Sequence, residues 1–437
     1  MRDIILLSIV AAAAPAMVMR PYIGVYFWTI FAFVNPHRFS WGFAYNFPFA
    51  QVIALCTVVG LIFSKEPKRI PWTPVTISLV IFILWMGVTT LFSLHPDVAW
   101  QQYIKILKIQ FMTFVILILI NDQKKLNRLV WVIVLSMGFF GVKGGIFAIL
   151  TKGHYMVTGP EGSFISGNTE MGLALIITLP LIFYLQQTVE NKWIRVGLLI
   201  VAGLSALAII VTYSRGALLG IAAMSGFLWL KSQKKLITGL IILLFIPIVI
   251  SFMPDKWFDR METIQTYEQD ASAMGRIVAW KHAYNVATQR FTGGGYGCFE
   301  VEDYEKFSPN LELVLGSNVV AHSIYFQLLA HHGFIGLSIF LILGLFSWRT
   351  ATWVIKNTSG YDKLVWVSNL TRMVQVSIVG YAVSGAFLSL AYFDLIYMLV
   401  AILVIAKKLV EEEIKEKSGN ENNSTEISNY GIVKNGS

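Results

Sequence analysis

Thirteen apolar stretches, separated by polar segments, run along the chain at about 4–18, 22–35, 48–64, 73–93, 103–120, 129–150, 169–187, 196–213, 216–231, 236–253, 323–347, 367–389 and 392–406. Most approach the ~20 residues that carry a helix across about 30 Å of hydrocarbon. Lipid offers no partner to a backbone N–H or C=O, so each stretch must satisfy its own hydrogen bonds, which predicts helices. The pattern predicts an all-α polytopic membrane protein with 12 or 13 transmembrane helices. The count turns on the first two stretches, which are short and broken at Arg20-Pro21: they read as two half-length helices or as one bent span.

The polar segments sort by charge. KEPKR (65–69), DQKKLNR (122–128), VENKWIR (189–195), KSQKK (231–235), the stretch from Arg349 to Lys363, and Lys407-Lys408 fall on one side of the helices. Basic short loops face the cytoplasm. The opposite, outer side then carries 94–102, 151–168, the tight turn at Ser214-Arg215 and one large loop, 254–322. Within that loop SAMGRIVAWKHAYNVATQR (272–290) repeats Ile277, Trp280, Tyr284 and Ala287 at three- and four-residue spacing, which predicts a helix. The turn GGGYG (293–297) follows it. The expected organisation is an N-terminal transmembrane bundle over 1–253, an outer loop over 254–322, C-terminal transmembrane helices over 323–409, and a disordered cytoplasmic tail over 410–437.

Composition sharpens this picture. The chain is 56% hydrophobic and 14% charged, with mean hydropathy +0.65, whereas a soluble domain carries about 25% charged residues. The net charge of +9 belongs to the loop lysines and arginines and does not call for nucleic acid. Cys56 and Cys298 are far apart and show no metal spacing, so neither a metal site nor a disulfide is expected. The N-terminal apolar stretch runs on into membrane sequence without a clear cleavage site. Neither an internal repeat nor a GxxxxGK loop is present, and the basic loops are too short to form a nucleotide-binding domain. A substrate must therefore arrive already activated or move down a gradient, with no cofactor expected.

Candidate chemistry sits at the outer ends of the stretches. Arg215, in VTYSRGALLG, joins two apolar blocks through a very short turn. A terminal arginine can simply snorkel to headgroups; flanked by Ser214 and Gly216 it can also point inward, where guanidinium suits phosphate. Arg276, in DASAMGRIVAW, is either an exposed cation or a second phosphate partner, on a helix that Asp270 or Ser272 can cap. Arg260 in WFDRMETI is a weaker third, with Asp259 and Glu262 as ordinary salt-bridge partners. His322 opens the first apolar stretch after the large loop, at the depth of Arg215. Its imidazole titrates near neutrality and can accept a hydroxyl proton. His331 and His332 lie nine and ten residues on, on the opposite helical face, so they are expected to pack or bond between helices, with a proton path as the alternative. Lys143, between apolar residues in GVKGGIF, is costly in lipid and a substrate-binding candidate. Lys105 and Lys108 share one face in WQQYIKILKIQ, and Asn168 and Glu170 lie in SGNTEMG.

These segments resemble a known superfamily. His322-Ser323, nine residues and Gly333-Phe334-Ile335-Gly336 resemble the H-[NSQ]-x9-G-x-x-G pattern of bacterial O-antigen ligases. TYSRGALLG resembles the superfamily's Ser-Arg-Gly turn, and SAMGRIVAWKHAYNVATQRFTGGGYGCFE its outer-loop pattern, Ser-x-x-x-Arg, Trp and Gly-x-Gly. The superfamily also takes in O-antigen polymerases and the O-oligosaccharyltransferases that glycosylate proteins. GVKGGIF and VTGPEGSFISGN are similar to the O-glycosylation ligases of exosortase-associated gene clusters. One departure is Phe291-Thr292 before the Gly-x-Gly turn, where family members often have proline.

The resemblance implies a reaction. A glycan on undecaprenyl pyrophosphate is transferred, with inversion, to a hydroxyl of lipid A core or of protein, at the periplasmic face of the inner membrane. It implies no metal and no nucleotide. His322, Arg215 and Arg276 would be the catalytic residues; Arg215, Arg276, Arg260, Lys105, Lys143 and Asn168 would bind substrate. The alternatives are a polymerase, whose acceptor is another lipid-linked glycan, and a transporter of lipid-linked glycans, which would be expected to show repeats and broken helices at the bilayer midplane.

Overall fold

A computed structural model describes residues 1–231, 235–262, 271–309 and 320–433. Its helices are α1 (Arg2–Met19), α2 (Pro21–Val34), α3 (Phe49–Phe63), α4 (Pro74–Leu91), α5 (Pro96–Leu119), α6 (Gln123–Leu150), α7 (Asn168–Thr188), α8 (Lys192–Val211), α9 (Arg215–Lys231), α10 (Lys235–Phe252), α11 (Asp255–Glu262), α12 (Ala271–Gln289), α13 (Val301–Phe307), α14 (Ile324–Asn357), α15 (Val365–Gly385) and α16 (Asp394–Val433). No strand occurs among the described residues. Each apolar stretch of the sequence corresponds to one helix, and the chain is an all-α multi-pass membrane protein.

By length and composition seven described helices can each cross a membrane: α1, α4, α5, α6, α7, α8 and α14. The helices α2 and α3 are apolar but short; the 14 residues of α2 rise only about 21 Å. The break at Arg20 makes a hairpin rather than a bend. Arg2 Nη1 donates to the Phe39 carbonyl at 2.9 Å, so the start of α1 lies beside the end of α2. Small residues let this hairpin meet α3: a Cβ at Gly60 would fall 2.6 Å from the Val18 carbonyl.

The loops collect at two ends. At one end two of the basic segments meet: Lys125 pairs with Glu66 at 2.9 Å, and the Tyr26 hydroxyl donates to the Lys125 carbonyl. At the other end meet the α4–α5, α6–α7, α8–α9 and α15–α16 connections and the long loop. Leu94 N–H donates to the Gly294 carbonyl at 2.8 Å, Val157 N–H to Val211 at 3.1 Å, and Ala391 N–H to Gln327 Oε1 at 3.3 Å. Helix α7 is enclosed on nearly all sides from Met171 to Leu185, and a hydrophobic helix buried all round marks the middle of a bundle. The helix α16 continues past the expected start of the polar tail, to Val433.

Candidate functional site

Four elements converge at the end where the long loop lies. The first is the start of α7. Asn168 Nδ2 donates to the Thr212 carbonyl at 2.7 Å, which ties α7 to the turn carrying Arg215. That turn, Thr212 to Arg215, is the second element. Tyr213 takes a left-handed conformation there (φ 56°) and its hydroxyl donates to the Gly153 carbonyl at 2.6 Å. Ser214 Oγ then accepts from Ala217 N–H at 3.1 Å and caps α9. Arg215 is half-buried at the first position of that helix. A Cβ at Gly216 would fall 2.8 Å from Phe387 Cβ, so glycine lets α9 close onto the end of α15.

The third element is α12, which spans Ala271–Gln289 much as the sequence periodicity predicts. Its Trp280 stacks on Phe326 with centroids 4.9 Å apart, and Trp280 Nε1 donates to the Ala321 carbonyl at 2.7 Å. Arg276, one helical turn before Trp280, is thereby carried to the start of α14. The fourth element is that start. His322 is half-buried and left-handed (φ 40°), a conformation that costs a non-glycine residue on the order of 1–2 kcal/mol. Burial lowers the pKa of the imidazole from its ordinary value, and the Arg276 guanidinium lowers it further; Glu170 acts in the opposite direction. The result is a neutral imidazole near pH 7, able to accept a proton. Ser323 Oγ beside it is buried with no hydrogen-bond partner among the described residues.

The other predicted residues lie elsewhere. Lys105 holds its Nζ 4.0 Å from the centroid of Phe164, and Lys143 holds its Nζ 5.4 Å from that of Phe39. Both lysines are exposed and gather around the turn Pro36–Phe39 rather than around His322. Arg260 falls in α11, with its side chain outside the described residues, as are Asp270 and the side chain of Ser272. Arg38 and Asp394 were not singled out from the sequence, and Glu170 was noted in SGNTEMG without a role. Their partners are distant along the chain, and only Glu170 stands near a motif. Among the described residues no three His, Cys, Asp or Glu side chains group as a metal ion would need.

His331 and His332 bond between helices. His332 Nδ1 lies 2.6 Å from Thr89 Oγ1 of α4, and its Nε2 lies 2.8 Å from the Tyr392 hydroxyl, which also lies 2.9 Å from His331 Nδ1. The next residue, Gly333, breaks α14 with φ 65° and ψ −172°, a region open essentially to glycine alone. The break frees the Ala330 and His331 carbonyls. They accept from Gly294 N–H at 2.7 Å and Gly295 N–H at 3.0 Å, so the GGGYG turn plugs the gap. A Cβ at Gly333 would fall 2.6 Å from the Phe291 carbonyl. The break at Gly333 thus fixes the glycine turn of the large loop onto the helix that begins beside His322.

No curated protein matches the chain. Residues 1–190 match a family of unknown function (DUF5935). Residues 200–341, which hold the Arg215 turn, Arg276 and His322, match the O-antigen ligase family and so support the O-antigen ligase superfamily for this chain.

Proposed function

We propose that the protein is a membrane glycosyltransferase of the ligase type. It moves a glycan from undecaprenyl pyrophosphate onto a hydroxyl of lipid A core or of a protein, at the periplasmic face of the inner membrane. The observation that carries this reading is the neutral imidazole of His322 beside Arg276, on the end of the bundle where the α7 start is bonded to the Arg215 turn. A base for a hydroxyl proton and two permanent cations for a pyrophosphate are the groups such a transfer needs.

In this reaction the acceptor oxygen attacks the anomeric carbon from the face opposite the pyrophosphate. The bond from that carbon to the pyrophosphate oxygen breaks, and its electron pair leaves with undecaprenyl pyrophosphate. The acceptor proton passes to His322. Arg215 and Arg276 bind the pyrophosphate and stabilise the charge that grows on it. The long loop, docked on α14 through Trp280 and the glycine turn, closes over the reacting groups.

The test is transfer in proteoliposomes supplied with undecaprenyl-pyrophosphate glycan and candidate acceptors, with EDTA and without nucleotide. Wild type should transfer, and His322→Ala and Arg215→Ala should both lose transfer while folded. Unchanged transfer in His322→Ala would remove the base. Products that grow by whole glycan units without any acceptor would make the protein a polymerase.

A further inference from the structure

The transfer mechanism leaves unused a group of charged side chains at the same end of the bundle, contributed mainly by the segment of unknown function. Phe164, in the α6–α7 connection, receives the Lys105 ammonium on its ring and packs on Phe393 at 6.4 Å between centroids. Phe393 also packs on Phe33 at the end of α2, at 6.0 Å. In the same connection Gly162 (φ 71°) lies against Arg38: a Cβ there would fall 3.2 Å from the guanidinium carbon. Asp394, next to Phe393, begins α16 and is only 5% exposed. Lys105, Arg38 and Asp394 thus surround one aromatic contact, and Lys105 feels the charges of both others.

Their bonding is incomplete. Asp394 Oδ1 and Arg38 Nε are buried without a hydrogen-bond partner among the described residues. Lys105 and Asp394 attract each other without forming a direct ion pair. Buried carboxylates are ordinarily paired or hydrogen-bonded, and each exception asks for an explanation. Here the unmet groups are one buried carboxylate oxygen and one buried guanidinium N–H, with the Lys105 ammonium close by on the Phe164 ring. Their complement is a molecule that donates a hydroxyl hydrogen to Asp394 and offers one negative charge to Arg38 and Lys105. Lys105 is exposed, so the group opens outward. Gln327, one turn into α14, accepts from Ala391 three residues before Asp394, so the floor of this group is tied to the helix that begins beside His322.

We propose that Arg38, Lys105 and Asp394 form a binding site for a hydroxylated monoanion. That chemistry is shared by an acidic sugar unit and by a glycerol-type phospholipid headgroup. The site does not depend on the transfer mechanism, and its binding can be read without turnover.

Two arms test it with the full-length protein. In nanodiscs of phosphatidylcholine, a galacturonic acid trisaccharide and an uncharged galactose trisaccharide are titrated by calorimetry. In mixed phosphatidylcholine and phosphatidylglycerol micelles, retained lipid is read by native mass spectrometry. Wild type should prefer the acidic trisaccharide, retain phosphatidylglycerol, or both, and the arm that responds names the source. Lys105→Gln and Arg38→Gln should each weaken that binding about tenfold, the scale of one charge-assisted hydrogen bond. Asp394→Asn removes the carboxylate from the site and should shift preference from galacturonate to galactose 6-phosphate. If the lysine or arginine variant fails to fold, that change of preference decides. No binding above the neutral controls in either arm, or binding unchanged in the folded variants, overturns the proposal.

Discussion

At the scale of single residues, His322 carries opposed electrostatic influences, and their signs make a pH experiment decisive. A base works in its neutral form, so transfer should be full above the His322 pKa and fall as pH drops through it. Burial and Arg276 place that value below the ordinary 6.5, so the acid limb of the rate profile should lie below pH 6.5. Glu170→Gln removes the carboxylate that raises the value, and the limb should move to lower pH. Arg276→Gln removes a cation that lowers it, and the limb should move up, whatever happens to the maximal rate. Opposite movements, read from transfer rates between pH 5 and 8, are a signature that a merely structural role for these residues would not give. His322→Ala should cost roughly 10²–10⁴-fold in rate, and Arg215→Ala about 10²–10³-fold, in single-turnover assays. Arg215, Arg276 and His322 were legible as candidates because each sits in a short motif, Arg215 and His322 at the ends of apolar stretches and Arg276 on the periodic helix of the large loop. Arg38 and Asp394 were not, and Glu170 was noted without a role, because their significance comes from contacts between segments distant along the chain.

At the scale of elements, the break in α14 is the joint that holds the large loop. Its carbonyls at Ala330 and His331 are satisfied by Gly294 and Gly295, and Arg290 Nε braces the turn by donating to the Gly293 carbonyl at 2.9 Å. The sequence showed an apolar helix here and a glycine turn there; helical periodicity alone cannot reveal that one plugs the other. It likewise predicted that His331 and His332 pack or bond between helices, but not that Tyr392 joins them, since no local pattern marks that tyrosine. Gly333→Ala should force a side chain into a conformation that costs on the order of 1–3 kcal/mol, and its Cβ would also press on the Phe291 carbonyl. The expected result is a lower Tm in detergent together with faster proteolysis within the loop. Ala substitution at Gly344, where a Cβ meets nothing within 4 Å, should change neither. Tyr392→Phe leaves two buried imidazole nitrogens without their shared partner, a loss of about 1–3 kcal/mol for each unsatisfied group. It should lower Tm without moving the acid limb set at His322.

At the scale of the whole molecule, the two ends of the bundle differ in chemistry, and the proposed reaction requires a particular one to face outward. One end joins the basic loops 65–69 and 122–128 through Lys125, Glu66 and Tyr26; the other gathers His322, the Arg215 turn and the docked loop. The alternation of helices was readable from apolar length and loop charge, whereas the α1–α2 hairpin was not, because neither helix shows by itself which way the chain turns at Arg20. Single cysteines can test the orientation. In a background with Cys56 replaced, and with Cys298 left buried at the docked loop, cysteine is placed at exposed Glu161 or at exposed Lys124. Because basic short loops stay in the cytoplasm, an impermeant maleimide added to intact spheroplasts should label the position 161 variant. It should label the position 124 variant only after the membrane is opened. A reversed pattern would put His322 on the side where the basic loops were expected, and would sink transfer at the periplasmic face even if the enzyme's chemistry survived in detergent. Labelling of both positions in intact spheroplasts would contradict a single orientation. The expected pattern, obtained together with the opposite shifts of the acid limb, would join the orientation of the bundle to the chemistry of its outer end.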